Sequence, residues 1–544
     1  MSYPPPPEEP GPLGGRPIAL FAGVGLALAL GSFEGAGVQA IFPYIGGGLA
    51  TSSYRALWTL TYYVVHWALG ITLMPWSTLR FGRRRAFQGA MYLATTGCVL
   101  SAFTHNLWVM LVSRAMEGLG AGLLVPLSQS LFLAATPSRR HGLVTVFWST
   151  TMLLPFFMGP AVGGWLATTG GYRLIFGLTV PLWLVALWLG GRGIPKTESP
   201  SMQAAPRFDV VGFALLYAGL MALQVVLDQG EQHGWWYSAF IRDASFVAVA
   251  CLYLFGWRAA RASHPLLQFH FLRHRNYWLG LLLLSLGWAL FMGWASILPL
   301  WAEENLGYNG FWGGLLLLPV GLGALPLSAA LDHLRGLLGL RRLASLSFLL
   351  LGGAYGTLSV HPQSTLSGLF WPLLVLGLGV GILFVPLTLI IMSEIAAAAV
   401  PAAATTANFL RVFSANIGVT VLAVYWSRGS ARASTALSAE LSRYGHATTV
   451  PLDALERVLA VEAHTVSLDN MLRFSMWLCL AAALIAWFFL IPPRALPRVS
   501  AQSFIEEAEN ESGEMASDGP GEAVLRNDHF AFPAPVSEHK PAGA

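Results

Sequence analysis

The chain has 544 residues, 55% of them hydrophobic and 11% charged, with a net charge of +4 and a mean hydropathy of +0.59. A soluble domain carries about a quarter charged residues, so most of these side chains face something other than water and a soluble globular fold is excluded. The small positive excess is diluted through apolar sequence, which argues against a nucleic-acid partner. Cys98, Cys251 and Cys479 lie far apart in apolar runs and read as neither a disulfide framework nor a metal site.

Residues 1–16 are proline-rich and acidic before Arg16, without the basic start and small-residue cleavage site of a signal peptide, and read as a disordered cytoplasmic tail. A spanning helix needs about 20 apolar residues. Candidate spans follow at 18–42, 56–78, 86–104, 107–135, 142–168, 173–191, 209–229, 240–260, 276–302, 310–333, 341–360, 365–395, 402–427 and 471–492. The weakest is 240–260, where Arg242 and Asp243 sit near the start. Residues 494–544 carry Glu506, Glu507, Glu509, Glu511, Glu514 and Asp518 with few aliphatic runs, and read as a disordered acidic cytoplasmic tail.

Basic residues fix the orientation. Alternate loops hold Arg80, Arg83, Arg84 and Arg85; Arg139 and Arg140; Arg192, Lys196 and Arg207; Arg258, Arg261, Arg273 and Arg275; and Arg335, Arg341 and Arg342. The intervening short loops hold few, such as Arg55 and Arg173. The arginine-rich side is therefore expected in the cytoplasm with both termini, which suits an even count of fourteen. The segment 428–470 is then an external loop, with helix-compatible stretches.

The two ends of the chain repeat one another. GLGAGLLVPL (118–127) in span four matches GLGVGILFVPL (377–387) in span twelve with one inserted residue. The RFGRRR loop after span two is matched after span ten by Asp332, Arg335, Arg341 and Arg342. The expected organisation is a six-helix bundle over 17–192, two linker helices over 208–260 and a second six-helix bundle over 274–493. Duplicated bundles around a midplane cavity are a transporter signature.

Few ionisable residues lie at membrane depth, and each is a functional candidate. Glu34 is mid-span among apolar neighbours; it reads as a proton carrier or as a structural hydrogen-bonding group. Arg114 and Glu117, three apart, share a helix face and form either a local ion pair or one cluster with Glu34. His66 is a coupling candidate or a packing histidine. Arg411, near Asn408, has no acidic neighbour in its helix and suits an anionic substrate or a carboxylate from another span. Tyr63, Trp67, Trp288, Trp294 and Phe409 are candidate cavity aromatics, suited to planar lipophilic molecules. Gly159, Pro160, Gly163 and Gly164 combine a proline bend with close helix approach. No P-loop, His-rich metal spacing or G-x-S-x-G element is visible, so neither an enzyme, nor an ATP-driven pump, nor a cofactor is expected.

In order and spacing these motifs resemble the major facilitator superfamily, and within it the fourteen-span EmrB/QacA type of drug:proton antiporter. FEGAGVQAIFP (33–43) looks like the family's Leu-Asp-x-x-x-Val-Asn-x-Ala-Leu-Pro, with Glu34 and Gln39 replacing its Asp and Asn. Trp58, Thr61 and Tyr63 follow its Trp-x-x-Thr-x-Tyr. PWSTLRFGRRR, with Arg80, Gly82, Arg83 and Arg84, is similar to its Gly-x-Leu-Ala-Asp-Arg-x-Gly-Arg-Arg, with Leu79 in place of the Asp. SRAMEGLGAG resembles its Arg-x-x-Gln-Gly, with Glu117 in place of Gln; MGPAVGGWL resembles the exporter motif Gly-Pro-x-x-Gly-Gly; LRVFSANIG resembles the pattern around Arg411. The resemblance implies an all-α membrane fold of two six-helix bundles plus two extra helices. It implies a proton-coupled exporter of lipophilic compounds across the inner membrane; with the residue readings above, the candidates for proton coupling are Glu34, Arg114, Glu117 and His66. Gln39, Tyr63, Trp67, Trp288, Trp294, Asn408 and Arg411 would line the cavity. The glycine and arginine motifs, with Asp332, would serve conformational change. A periplasmic membrane-fusion protein and an outer-membrane channel are implied as partners. Export of one defined metabolite, such as a fatty acid or siderophore-like product, would use the same fold.

Overall fold

The computed structural model describes residues 17–137, 140–195, 208–262, 265–396, 399–444 and 452–491; the expected tails 1–16 and 494–544 lie outside the described residues. The order is α1 (Pro17–Gly37), a 3-10 turn (Val38–Ala40), α2 (Phe42–Gly48), α3 (Ser53–Ala56), α4 (Trp58–Phe81), α5 (Arg83–Phe103), α6 (Leu107–Ala134), α7 (His141–Gly170), α8 (Arg173–Gly193), α9 (Val210–Gln229), α10 (Ala239–Ala259), α11 (Arg275–Leu306), α12 (Gly310–Leu315), α13 (Leu318–Ala329), α14 (Leu331–Leu338), α15 (Leu340–Thr357), α16 (Leu366–Met392), α17 (Val400–Tyr444) and α18 (Leu452–Phe489). No strand occurs among the described residues. Helices suit lipid because they satisfy every backbone polar group internally.

Helices occupy all fourteen expected segments, and among the described residues twelve are long and apolar enough to cross a membrane. The chain is a multi-span membrane protein. The expectation of fourteen is not met on length and hydropathy by α5 and α15. Both carry arginines in their first turn; α5 also carries Gln88, Thr95, Thr96 and Ser101, and α15 is only 18 residues long. Each is nonetheless packed between neighbours, α5 on α6 and α8, α15 on α16 and α18. One further segment differs from expectation. Span 310–333 is divided into α12, α13 and the start of α14; Pro319 opens α13, where its missing amide hydrogen is harmless. Much of 428–470 is helix, in line with its helix-compatible stretches: neither glycine nor proline interrupts 430–444 or 452–470.

The repeat survives in three dimensions. In α6, a Cβ on Gly118 would lie 2.2 Å from the Tyr63 carbonyl oxygen of α4, and one on Gly122 would lie 2.0 Å from that of Trp67. In α16, Gly377 and Gly381 stand in the same way against Val320 and Ala324 of α13, at 2.2 and 2.6 Å. Both glycine pairs are four apart, one per turn, so they form a groove for the neighbouring backbone. The turns before α5 and α15 also match: Gly82 has φ 80°, ψ 156° and Gly339 has φ 78°, ψ 156°, which favour glycine strongly.

Extensive pairings run among α1 and α4–α8, and again among α11, α13 and α15–α18, while α9 packs mainly on α10. The two sets meet through α4 with α17 and through α7 with α12 and α13. The glycine motif of α7 serves both contacts. Gly159 and Gly163 face α1, where their added Cβ atoms would lie 3.0 Å from the Phe33 oxygen and 2.6 Å from the Gly37 oxygen. Gly164 faces the other set, 1.8 Å from the Gly310 oxygen on the same measure, and the Pro160 carbonyl lies 2.1 Å from a Cβ placed on Gly314. These contacts lie toward the C-terminal end of α7, away from the arginine-rich turns.

Candidate functional site

Glu34, Arg114, Glu117 and Tyr63 come together inside the first set of helices, each at most 1% exposed. Arg114 Nη1 pairs with Glu117 Oε2 one turn along α6. Its Nε donates to the Thr59 carbonyl of α4 at 3.2 Å and its Nη2 to the Glu34 backbone carbonyl of α1 at 3.2 Å. The guanidinium carbon lies 4.2 Å from the centre of the Tyr63 ring, whose hydroxyl donates to the Gly31 carbonyl at 2.6 Å. Arg114 thus ties α1, α4 and α6 together, which a planar guanidinium with five donors can do.

The Glu34 carboxyl points elsewhere. Its Oε1 accepts from Trp183 Nε1 of α8 at 2.8 Å and from Cys98 Sγ of α5 at 3.3 Å, and its Oε2 has no partner. Glu117 holds the guanidinium, and its Oε1 also accepts from Ser101 at 2.6 Å. The sequence pattern left open whether Arg114 serves a local pair or joins Glu34; the side chains form the local pair, with Glu34 one backbone contact away. The cluster therefore holds one cation and two carboxyls, sealed from water. A single proton on either carboxyl brings it to neutrality, whereas two ionised carboxyls leave an uncompensated buried charge. Sequence reasoning did not single out Trp183, Cys98 or Ser101, because nothing local marks an indole or thiol as facing a carboxyl on another helix.

A second group forms around Arg411 of α17. Its guanidinium carbon lies 5.1 Å from the Trp288 ring centre and 5.0 Å from that of Phe384, and Nη2 reaches Asn408 Oδ1 at 3.5 Å. Among the described residues no carboxylate pairs with it, and its buried Nε has no partner. Trp288 belongs to an aromatic patch with Phe156 of α7 and Phe291, so rings from both sets of helices meet here.

The other expected cavity residues diverge. Gln39 Oε1, in the 3-10 turn, and Trp67 Nε1, edge-on to Tyr63, are buried without partners. Tyr63 is committed to the arginine cluster. Trp294 is turned into the second set, where Nε1 donates to Ser475 at 3.0 Å beside Tyr355. Phe409 is 3% exposed and stacks on Phe413. His66 faces α9: Nδ1 donates to the Tyr62 carbonyl at 2.8 Å, and Nε2 meets the Tyr217 hydroxyl at 3.4 Å. Arg80, Arg83 and Arg84 flank Gly82 at the α4–α5 turn, with Leu79 exposed. Asp332 is in α14, and its side chain lies outside the described residues.

A third polar group had not been singled out. Asp228, 3% exposed near the end of α9, accepts from Thr61 of α4 at 2.9 Å through Oδ2 and from Thr420 of α17 at 3.3 Å through Oδ1. One turn earlier, Gln224 Oε1 accepts from Asn416 Nδ2 of α17. The available signal was two polar pairs four residues apart, Gln224/Asp228 and Asn416/Thr420, each in an apolar helix.

Residues 24–419 match the sequence profile of the Major Facilitator Superfamily. The chain is 29% identical over 447 residues to the fatty acid resistance protein FarB of Neisseria gonorrhoeae, covering 82% of this chain and 86% of that one. It is 29% identical over 433 residues to the multidrug export protein EmrB of Haemophilus influenzae, covering 79% and 84%. Against the EmrB of Escherichia coli K12 it is 28% identical over 430 residues, covering 77% and 82%. A crystal structure of the peptide transporter POT with sulfate shares the fold, with a TM-score of 0.58 at 18% identity over 88% of this chain and 96% of that one.

Proposed function

The chain belongs to the Major Facilitator Superfamily, and on that footing we propose that it is a proton-coupled multidrug efflux transporter that exports lipophilic compounds by alternating access. Relatives named as multidrug export proteins support the export reading. The observation that carries the coupling is the buried cluster of one guanidinium and two carboxyls. A proton entering at Glu34 or Glu117 changes the charge that the interior must hold. Because Arg114 ties α1, α4 and α6 together, that change reaches three helices at once. Chemistry on the substrate itself has no part in this reading.

We place the protein in the cytoplasmic (inner) membrane with both termini in the cytoplasm and fourteen crossings, counting α5 and α15. The proposed units are bundles at 17–192 and 274–493 with linker helices between. The close glycine contacts of α7 with α12 then lie on the outer side, and the structure corresponds to a state closed to the outside. At 1.5 Å per residue, the 45 residues of α17 extend about 68 Å, roughly twice the hydrocarbon thickness. Its last turns and the first turns of α18 would project outward, as the docking surface for a periplasmic membrane-fusion protein leading to an outer-membrane channel.

A second reading is export of a defined amphiphilic anion such as a fatty acid. It is favoured by Arg411, which has no acidic partner among the described residues and stands close to two rings, and by similarity to a relative named for fatty acid resistance. One experiment tests both. An efflux-deficient host carrying the wild type or Glu34→Gln is screened with lipophilic cations and long-chain fatty acids, and each protected compound is followed in proteoliposomes under an imposed pH gradient. The expected result is proton-driven export that Glu34→Gln abolishes while the protein remains inserted. Undiminished export by Glu34→Gln would sink the coupling assignment, and the compounds protected decide between the two cargoes.

A further inference from the structure

We propose that Asp228, on the linker helix α9, is a second proton-binding site, separate from the Glu34–Arg114–Glu117 cluster, and that its proton governs the joint between the two sets of helices. The inference rests on the proton-coupled reading above and adds a site that the sequence motifs do not contain.

Position is the first argument. The carboxyl uses one oxygen for each half of the molecule: Oδ2 accepts from Thr61 of α4 and Oδ1 from Thr420 of α17. α4 and α17 are themselves one of the pairs through which the halves meet. The bond between Asn416 and Gln224 fastens α9 to α17 one turn away. Beyond Asp228, Glu231 pairs with Arg428 of α17 at 2.7 Å. A helix outside the two repeated bundles thus reaches into their joint with a buried acid.

Charge is the second argument. Among the described residues no cation pairs with Asp228. Arg428 is taken by Glu231, and His66 is bonded to Tyr62 and Tyr217. The other ionisable groups nearby are Tyr54 and Tyr62 from the α3–α4 side, Tyr217 on α9 and Glu231 beyond it. None supplies a positive charge. α17 offers the hydroxyl of Thr420 and the amide of Asn416. A buried carboxylate held by neutral hydroxyl and amide groups, with no cation paired to it among the described residues, is a group whose charge is readily exchanged for a proton.

The hydroxyls supply the switch. An ionised carboxyl accepts at both oxygens, whereas a protonated one must donate from one of them. The proton therefore puts a donor on one side and weakens that oxygen as an acceptor. Each threonine already has another acceptor on its own helix: Thr61 reaches the Trp58 carbonyl at 3.1 Å and Thr420 the Asn416 carbonyl at 3.3 Å. Either can turn away without leaving its hydroxyl unsatisfied. Asn416 Oδ1, buried without a partner in the same seam, is an acceptor of the kind a protonated carboxyl needs. Proton binding then loosens the link between α9 and one half, and proton release restores it.

The test needs no substrate. Full-length protein in lipid nanodiscs carries spin labels at Leu79→Cys and Leu337→Cys, two exposed positions at the ends of α4 and α14. Cys251 is replaced by serine; Cys98 and Cys479 are buried. Distances between the labels are measured by pulsed electron spin resonance from about pH 5 to pH 9. In Glu34→Gln/Arg114→Leu/Glu117→Leu protein, whose acid cluster no longer titrates and is left without an unpaired buried charge, a pH-dependent exchange between two distances is expected to remain. Adding Asp228→Asn should abolish it, and adding Asp228→Glu should restore it. If Asp228→Asn does not insert, Thr61→Val and Thr420→Val decide, since each removes one donor and should move the midpoint by about half a pH unit or more. No exchange in the Glu34→Gln/Arg114→Leu/Glu117→Leu protein overturns the proposal, and so does an exchange indifferent to Asp228 and both threonines. A pH step without transport of any compound would overturn the export reading and leave this site standing.

Discussion

Arg114 gives its side-chain ion pair to Glu117, three residues along α6, and meets Glu34 only at the backbone carbonyl, 3.2 Å from Nη2. Both partners of the pair are at most 1% exposed. The competition for one guanidinium, visible as a possibility in the spacing, is resolved by helix geometry: residues three apart on one helix are neighbours whatever the rest of the fold does. Glu34 has to find its donors on α5 and α8.

Removing one member of this pair leaves a buried charge, which costs about 3–5 kcal/mol, while replacing both by apolar residues is often close to neutral. Arg114→Leu is therefore expected to destabilise the protein severely, and Arg114→Leu/Glu117→Leu to recover most of the loss. Thermal unfolding in detergent, read as a double-mutant cycle, checks this. Additive losses would show that the two side chains are not coupled.

The glycines of α7 predict graded effects. Gly164→Ala brings a methyl group to 1.8 Å from the Gly310 backbone oxygen, so the halves cannot close there, and export is expected to fall at least tenfold. Gly159→Ala meets the Phe33 oxygen at 3.0 Å and should cost less. Gly89→Ala has nothing within 4 Å and should be silent. Export rates at matched membrane levels test the order Gly164, Gly159, Gly89.

Arg411 separates the cargo readings. Between two rings its guanidinium gains about 0.5–2 kcal/mol from cation–π contact, and its charge attracts anions. Arg411→Gln should abolish protection against fatty acids and spare that against cationic dyes. Arg411→Lys keeps the charge without the planar face and should weaken fatty-acid binding several-fold. Competition binding on purified protein measures both; equal losses for cations and anions would remove the charge argument.

Gly339→Ala tests the matched turns. Nothing lies within 4 Å of the added Cβ, so the cost is purely conformational, about 1–3 kcal/mol at φ 78°, ψ 156°. A comparable loss for Gly82→Ala, read as a lowered unfolding temperature, would show that both repeats need the same turn.

The sequence by itself determined the membrane class, the placement of the helices, the duplicated glycine runs and the few acidic and basic residues at depth in the first set of helices. These follow from hydropathy and spacing within single helices, which are local properties. Even here, α5 and α15 fell short because arginines and polar residues dilute them. Tertiary structure alone decided which side chains meet. It turned Trp294 toward Ser475, His66 toward Tyr217 and Glu34 toward Trp183. It also joined Asp228 to Thr61 and Thr420, 167 and 192 residues away. Such pairings depend on the rotation and depth of whole helices relative to one another, and a chain read one segment at a time does not contain those two quantities.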